Sequence, residues 1–447
     1  MSRACFSLVL LCAMSGAAAT AGGTRPHIVL VLADDLGLGD LSCYGGEIVT
    51  TPHLDQLARE GTRFTQYYSA APICSPARCG IITGQFPARW NITSFLQDQK
   101  GNRACEQANF LDPQAPSLPR VLKSAGYATA HFGKWHLGGG RDVTNAPKFA
   151  AYGYDEGAGT WESPEPHADI TATNWVWSDQ DRVKRWNRTA FFVDQTLAFL
   201  KAHRNQPCFV NVWLDDPHTP WVPDSAAAKE TPKPQSLENL QKVMSELDKQ
   251  MGRLAQGLPK NTLLLFVSDN GPLPTFQGKR ATGLRGSKLS LYEGGVNVPL
   301  IARWPGKVPA DAVDDWSVVA GVDFLPTFAN IAGAKLPTGY TSDGEDFSLA
   351  LAGKKFQRGE ALLWEYGRNE TSFKYPGVAV DRSPQLAIRA GVWKLLINAD
   401  GSQSELYDIS RDREEKLNLA TANATVASGL REKVLAWKSS LPRLAAR

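Results

Sequence analysis

The chain has 447 residues, too many for one small core, so one large α/β domain with a smaller second one is expected. Its 43% hydrophobic and 21% charged residues are those of an ordinary soluble globular protein. The formal net charge of +3 does not argue for a polyanionic partner, and there is no basic run or nucleic-acid motif, so no nucleic-acid ligand is expected.

Residues 1–21 read as a secretory signal. Arg3 gives the positive start, Phe6 to Met14 the apolar stretch, and Ala17-Ala18-Ala19 or Ala19-Thr20-Ala21 a small-x-small cleavage site. That stretch is too short to span a bilayer, and no later one is long enough. Cys5 and Cys12 leave with the signal, so Cys43, Cys74, Cys79, Cys105 and Cys208 remain. With Cys74 in chemical use the other four are compatible with two disulfides, pairing open, and their spacing fits no zinc motif.

His27 to Ala33 is a continuous apolar, β-branched run that reads as a buried parallel strand. It ends at Asp34-Asp35 inside Gly-rich backbone, where two adjacent carboxylates are costly without a cation. Ligand sites in open α/β sheets lie at such strand ends, although a solvated turn would read the same way. Thr51 to Gly61 is a helix with Pro at its start and Gly as its stop. Cys74-Ser75-Pro76-Ala77-Arg78 reads as a loop-to-helix junction, with Pro76 in the first turn. Cys74 then sits near a helix N-terminus with Arg78 one turn on, a setting expected to lower a thiol pKa.

Ser117 to Tyr127 is a further helix, and Ala128 to Phe132 a strand ending in Gly133-Lys134-Trp135-His136. If strand geometry persists, Lys134 and His136 point to one side. Residues 139–190, rich in Gly, Pro and Trp, read as an irregular insertion at the rim of a pocket. Trp161, Trp175, Trp177 and Trp186 serve there either as stacking platforms for sugars or as local core. Phe191 to His203 reads as a helix, Pro207 to Leu214 as a strand, and His218 as a rigid-turn residue between two prolines. Gln235 to Gly257 is an amphipathic helix with Met244, Leu247, Met251 and Leu254 on one face. Thr262 to Ser268 is the clearest strand and ends at Asp269-Asn270. Asp34, Asp35, Asp269 and Asn270 together suit a hard divalent cation, Ca²⁺ by preference. After a boundary near Asp343-Gly344 and Gly353 to Arg358, short strands at 361–366, 385–389, 393–397 and 406–408 and a helix over about 426–441 form a small antiparallel sheet with one helix on it.

The run C-x-P-x-R, followed after four residues by Thr83-Gly84, resembles the signature of the type I sulfatases. The likeness extends to T-P-x-L-D-x-L-A-x-E-G at 51–61, G-K-W-H-L-G at 133–138, P-H-x-P at 217–220, and G-x-K with E-G-G and Val298-Pro299 from Gly286 on, with family-like stretches at 323–327 and 406–419. One departure is Asn297, where the family usually has Arg. The resemblance implies an alkaline phosphatase-like fold: a large, mixed, mostly parallel sheet between helices, catalytic over 22–350, with a C-terminal α+β unit over 358–447. It implies that Cys74 is oxidised by a maturation enzyme to formylglycine, which with Asp34, Asp35, Asp269 and Asn270 binds one Ca²⁺. The hydrated aldehyde attacks the sulfur of a sulfate monoester and later releases sulfate from the sulfated enzyme. Lys134 and Lys288 stabilise the transferring group, His218 is the general acid, and His136 with Arg78 positions the nucleophile. A sulfated saccharide or small molecule is the implied substrate.

Two rivals stand beside this reading. One is a phosphate or phosphonate ester hydrolase of the same superfamily. The other is a non-catalytic glycan-binding protein with an unmodified Cys74. The N-terminal signal places the protein outside the cell or in the periplasm, or in a lysosome if the host is eukaryotic. There the four N-x-[ST] sites, at Asn91, Asn187, Asn369 and Asn423, are candidate glycan acceptors.

Overall fold

The computed structural model describes residues 25–170, 180–230 and 235–443. The signal segment, Trp175 and Trp177 lie outside the described residues. The strands are β1 His27–Ala33, β2 Thr62–Phe64, β3 Tyr67–Tyr68, β4 Ala128–Gly133, β5 Glu156–Gly159, β6 Cys208–Trp213, β7 Thr262–Ser268, β8 Leu300–Arg303, β9 Ala312–Asp314, β10 Val319–Ala320, β11 Leu362–Glu365, β12 Leu386–Ala390, β13 Trp393–Ile397 and β14 Glu405–Asp408. The helices are α1 Pro52–Arg59, α2 Cys74–Thr83, α3 Gln99–Ala104, α4 Leu118–Ser124, α5 Arg188–Ala202, α6 Leu237–Gly257, α7 Glu293–Val296, α8 Phe324–Ala332, α9 Ser348–Leu351 and α10 Ala424–Ser440.

Eight strands form one sheet in the order β5-β4-β6-β1-β7-β8-β2-β9. The run from β5 to β7 is parallel, while β8 is antiparallel to both β7 and β2. Side chains of β1 alternate between two cores, as the period of a strand requires. Ile28, Leu30 and Leu32 face the side covered by α2, α4 and α8, whereas Val29, Val31 and Ala33 face the side covered by α1, α5 and α6. Burial on both faces is why β1 and β7 are apolar throughout instead of alternating.

The strands β11 to β14 form the antiparallel C-terminal sheet, with α10 against β12 and β13. Its apolar residues pack into one cluster with Tyr68, Ile73, Cys74, Leu291 and Tyr292, so it lies directly behind the Cys74 helix. The expectation of an irregular insertion over 139–190 needs correction, because Glu156–Gly159 is the edge strand β5, paired in parallel with β4. Three of its residues are Gly or Ala, which carry no periodic signal. Trp161 lies under the Arg141 guanidinium at 5.4 Å. The two disulfides held open by cysteine count are absent: Cys43, Cys74, Cys79, Cys105 and Cys208 are all free. Of the four N-x-[ST] positions, Asn91 is buried in the fold. No helix among the described residues is long and apolar enough to cross a membrane.

Candidate active site

Four adjacent parallel strands deliver the site. In the order β4, β6, β1, β7 their carboxyl ends lead into Lys134, the Asp215 to His218 turn, Asp34-Asp35 and Asp269-Asn270. Close backbone approach is built into this edge. A Cβ on Gly133 would stand 1.8 Å from Trp213 O, and Gly133 has φ +112, so only Gly lets Lys134 N reach Trp213 O at 2.8 Å. Cys74 opens α2 and is 3% exposed, facing the same edge.

Each buried carboxylate has one principal cation. Lys134 Nζ binds Asp34, Lys288 Nζ lies 2.7 Å from Asp35 Oδ1, and Arg78 Nη2 lies 2.7 Å from Asp269 Oδ2. Asp35 N donates to Asp269 Oδ1 at 3.2 Å, and Asn270 Nδ2 donates to Asp35 Oδ1 at 2.8 Å. Burial raises the Asp34 carboxyl, but the cations, Lys134 foremost, overcome this and hold it well below the usual range. Asp35 is likewise lowered against its burial, chiefly by Lys288. Asp269 is raised by burial and by the neighbouring Asp34. Burial lowers the ammonium groups of Lys134 and Lys288, and the facing carboxylates outweigh it, so both stay charged.

Oxygen donors for a cation are in place. Ligand atoms of Asp34, Cys74 and Asp269 lie within 4.8 Å of one another, as do those of Asp34, Asp35 and His218. Asp34 Oδ1 and Asn270 Oδ1 are buried without a hydrogen-bond partner, a costly state that a hard cation would relieve. The donor set therefore fits Ca²⁺.

The expectations for the Cys74 thiol and for a side shared by Lys134 and His136 change. The Cys74 thiol is not lowered: burial pushes it up to about 11, against the pull of Lys134 and Lys288. Arg78 is committed to Asp269 and to Lys134 O at 2.7 Å, and stacks on Trp213 at 5.2 Å. Strand geometry does not persist to His136, which has φ +53. Its Nε2 lies 3.2 Å from both Leu96 O and Glu162 Oε2, while Nδ1 is buried without a hydrogen-bond partner. Burial lowers the His136 ring to about 3, and the His218 ring to about 4. His218 Nδ1 meets Thr219 O at 2.7 Å, and Nε2 meets Lys288 Nζ at 3.1 Å. A neutral ring so placed donates from Nδ1 and accepts from the lysine at Nε2, so the proton sits on Lys288 and not on His218 alone. Asp35 and Leu289, at φ +61 and +75, are further non-Gly residues in left-handed geometry here, a strain typical of over-determined functional sites.

The sequence pattern did not single out Arg280, Glu162, Arg185 or Arg188. Arg280 bridges Asp40 at 2.7 Å and Asp35 O at 2.9 Å, fixing the turn after β1. Glu162 holds His136 and Arg141. A lone charged residue in an aperiodic loop gives no signal of burial, so these are visible only once the chain is folded.

Comparison with known proteins identifies the family. A family model described as Sulfatase matches residues 26–334, and one described as N-sulphoglucosamine sulphohydrolase, C-terminal, matches 287–439. The chain is 27% identical to an N-acetylgalactosamine-6-O-sulfatase of Bacteroides thetaiotaomicron, over 91% of this chain and 92% of that protein. It is 30% identical to human arylsulfatase A, over 90% of this chain and 85% of the relative. A solved structure from work on glycosaminoglycan metabolism by Bacteroides thetaiotaomicron superposes with a TM-score of 0.74 at 25% identity, covering 93% of this chain and all of that one. With both of its segments matched by family models and relatives aligned over most of its length, the chain belongs to the sulfatase family and is a sulfuric ester hydrolase.

Proposed function

We propose that this enzyme removes sulfate from a sulfated saccharide, using a formylglycine made from Cys74 and a Ca²⁺ held by Asp34, Asp35, Asp269, Asn270 and position 74. The observation that carries the reading is the meeting of Cys74 with two charged lysines and two unpartnered oxygens at the ends of adjacent strands. The relatives named for a galactosamine 6-sulfate and for glycosaminoglycan metabolism support a saccharide substrate. When present, the aldehyde hydrate supplies a nucleophile and the cation offsets charge on the sulfuryl oxygens. Lys134 and Lys288 bind the sulfate oxygens and disperse their charge, the dominant requirement of such a transfer. Arg78 fixes Asp269 by a forked contact, with Nε at 3.1 Å and Nη2 at 2.7 Å. Lys288 and His218 hold one proton between Nζ and Nε2, where the leaving alcohol oxygen needs it. His136 is held by Glu162 with Nδ1 open as an acceptor. The N-terminal 21 residues are proposed to direct export to the periplasm or outside the cell, or to a lysosome in a eukaryotic host, and a formylglycine-generating enzyme is the proposed partner in maturation.

The test pairs the mass of the peptide carrying Cys74, taken from the native host, with turnover of a sulfated N-acetylgalactosamine and its phosphate analogue. Conversion of thiol to aldehyde and preference for the sulfate ester are expected. An active preparation with an intact thiol refutes the formylglycine assignment. Preference for phosphate refutes the substrate class. Binding of the sugar without turnover, by native-host protein that keeps an intact Cys74 thiol, favours the glycan-binding rival.

A further inference from the structure

The turn that carries His218 is gripped by Arg185, just before α5, and by Arg188 and Thr189, which open it. Arg185 Nη1 lies 2.6 Å from Asp216 Oδ1. Its Nη2 donates to two main-chain carbonyls, Asp215 O at 3.1 Å and His218 O at 3.4 Å. Arg188 Nη1 donates to Asp215 Oδ2 at 2.8 Å, and its Nη2 pairs with Asp181 at 3.2 Å. Thr189 Oγ1 donates to Asp216 Oδ2 at 2.7 Å. Arg185, Arg188 and Thr189 are each at most 3% exposed.

Burying this many charges around one turn is an expensive way to gain stability, because well-packed apolar side chains serve as well. What a guanidinium adds is geometry. Its planar fork holds a carboxylate and two carbonyls at once, which a point charge cannot do. The two carbonyls belong to the 215–216 and 218–219 peptides, so the fork fixes both ends of the Asp216-Pro217-His218 segment. The His218 ring in turn meets Lys288, with Nζ 3.1 Å from Nε2.

We propose that Arg185 is a positioning residue: its guanidinium sets the path of the 215–218 backbone, and thereby the reach of the His218–Lys288 pair to the leaving oxygen. Arg188 and Thr189 brace the two carboxylates of the same turn. This rests on the sulfatase reading above, in which that pair protonates the leaving alcohol.

The experiment compares two sulfate esters that differ in their need for a proton. Nitrocatechol leaves unaided as a stable anion, whereas a saccharide hydroxyl does not. Arg185→Lys keeps a charge against Asp216 but has no fork to span two carbonyls. On the saccharide sulfate its kcat is expected to fall about 10²-fold, the scale of a misplaced proton donor. Its KM there, and its kcat on nitrocatechol sulfate, stay within about threefold of wild type. Arg182→Ala, at a side chain 86% exposed, matches wild type on both esters. Equal losses on the two esters, or no loss on either, overturn the proposal. If Arg185→Lys melts below the assay temperature, Thr189→Val, which removes only the hydroxyl on Asp216, must show the same leaving-group bias on a smaller scale. An equal loss there also overturns it. Wild-type protein that hydrolyses neither ester defeats the sulfatase reading and this proposal with it, whereas an active wild type with unbiased variants defeats the proposal alone.

Discussion

Lys394 offers the sharpest test of how the C-terminal sheet supports the site. Its side chain, on β13, is fully buried, with Nζ 2.8 Å from Glu293 Oε1 and 3.0 Å from Glu415 Oε1. Glu293 opens α7, at the end of the loop that carries Lys288, and also accepts from Tyr68 Oη at 2.7 Å. Glu415 Oε2 accepts from Glu293 N at 2.6 Å. Replacing Lys394 with Met leaves two buried carboxylates facing each other. Removing one partner of a buried pair costs about 3–5 kcal/mol. Burial already raises Glu415, opposed by Lys394, and the variant removes that opposition. A folded pKa above the unfolded one gives stability that is full below about pH 4.3 and lost as pH rises toward the folded value. The deficit of Lys394→Met, measured by denaturant unfolding, is therefore larger at pH 8 than at pH 5.5, and Glu415→Gln in the same chain restores at least half of it. A deficit under about 1 kcal/mol at pH 7, or one equal at both pH values, refutes the reasoning.

Lys134→Met and Lys288→Met are each expected to lower kcat on an aryl sulfate about 10²–10³-fold, while Lys148→Met, at a side chain 77% exposed, leaves it unchanged; losses under about tenfold refute their role on the sulfuryl oxygens. Prolonged dialysis against a chelator is expected to abolish turnover and lower the melting temperature, with Ca²⁺ restoring both better than Mg²⁺; full activity and stability after metal removal refute the cation site. Asn297→Arg, the residue more usual in the family, is expected to destabilise by about 1–3 kcal/mol, because the position is 2% exposed and already meets Arg413 Nη2 at 3.4 Å; unchanged or raised stability in unfolding curves refutes this.

Much of the site was legible because its residues sit beside strong local signals. Asp34 and Asp269 follow β1 and β7, and the expected limits of both strands coincide with the observed ones. Cys74 was placed by Pro76, which lies in the first turn of α2 as expected. The misread residues depend on surroundings that no spacing reports. The helix-terminus argument for Cys74 omitted desolvation, which dominates at 3% exposure. The alternation argument for Lys134 and His136 failed because β4 stops at Gly133, where Trp213 O crosses the chain. Edge strand β5 went unseen because glycine and alanine leave no periodic trace.

The sequence alone determined the central strands β1, β4, β6 and β7, the acidic residues that follow β1 and β7, and the family, since each rests on residues close together in the chain, where apolar period, turn chemistry and motif spacing act. Only the tertiary structure decided which charge meets which. It paired Lys134 with Asp34, Lys288 with Asp35 and His218, and Arg78 with Asp269, partners between 70 and 253 residues apart. It also brought Lys394 from the C-terminal sheet onto Glu293, and Arg185 onto the carbonyls around His218. These pairings follow from strand order and from the buried setting, where an unpaired charge is too costly to leave alone, and neither quantity is written in any local stretch of the chain.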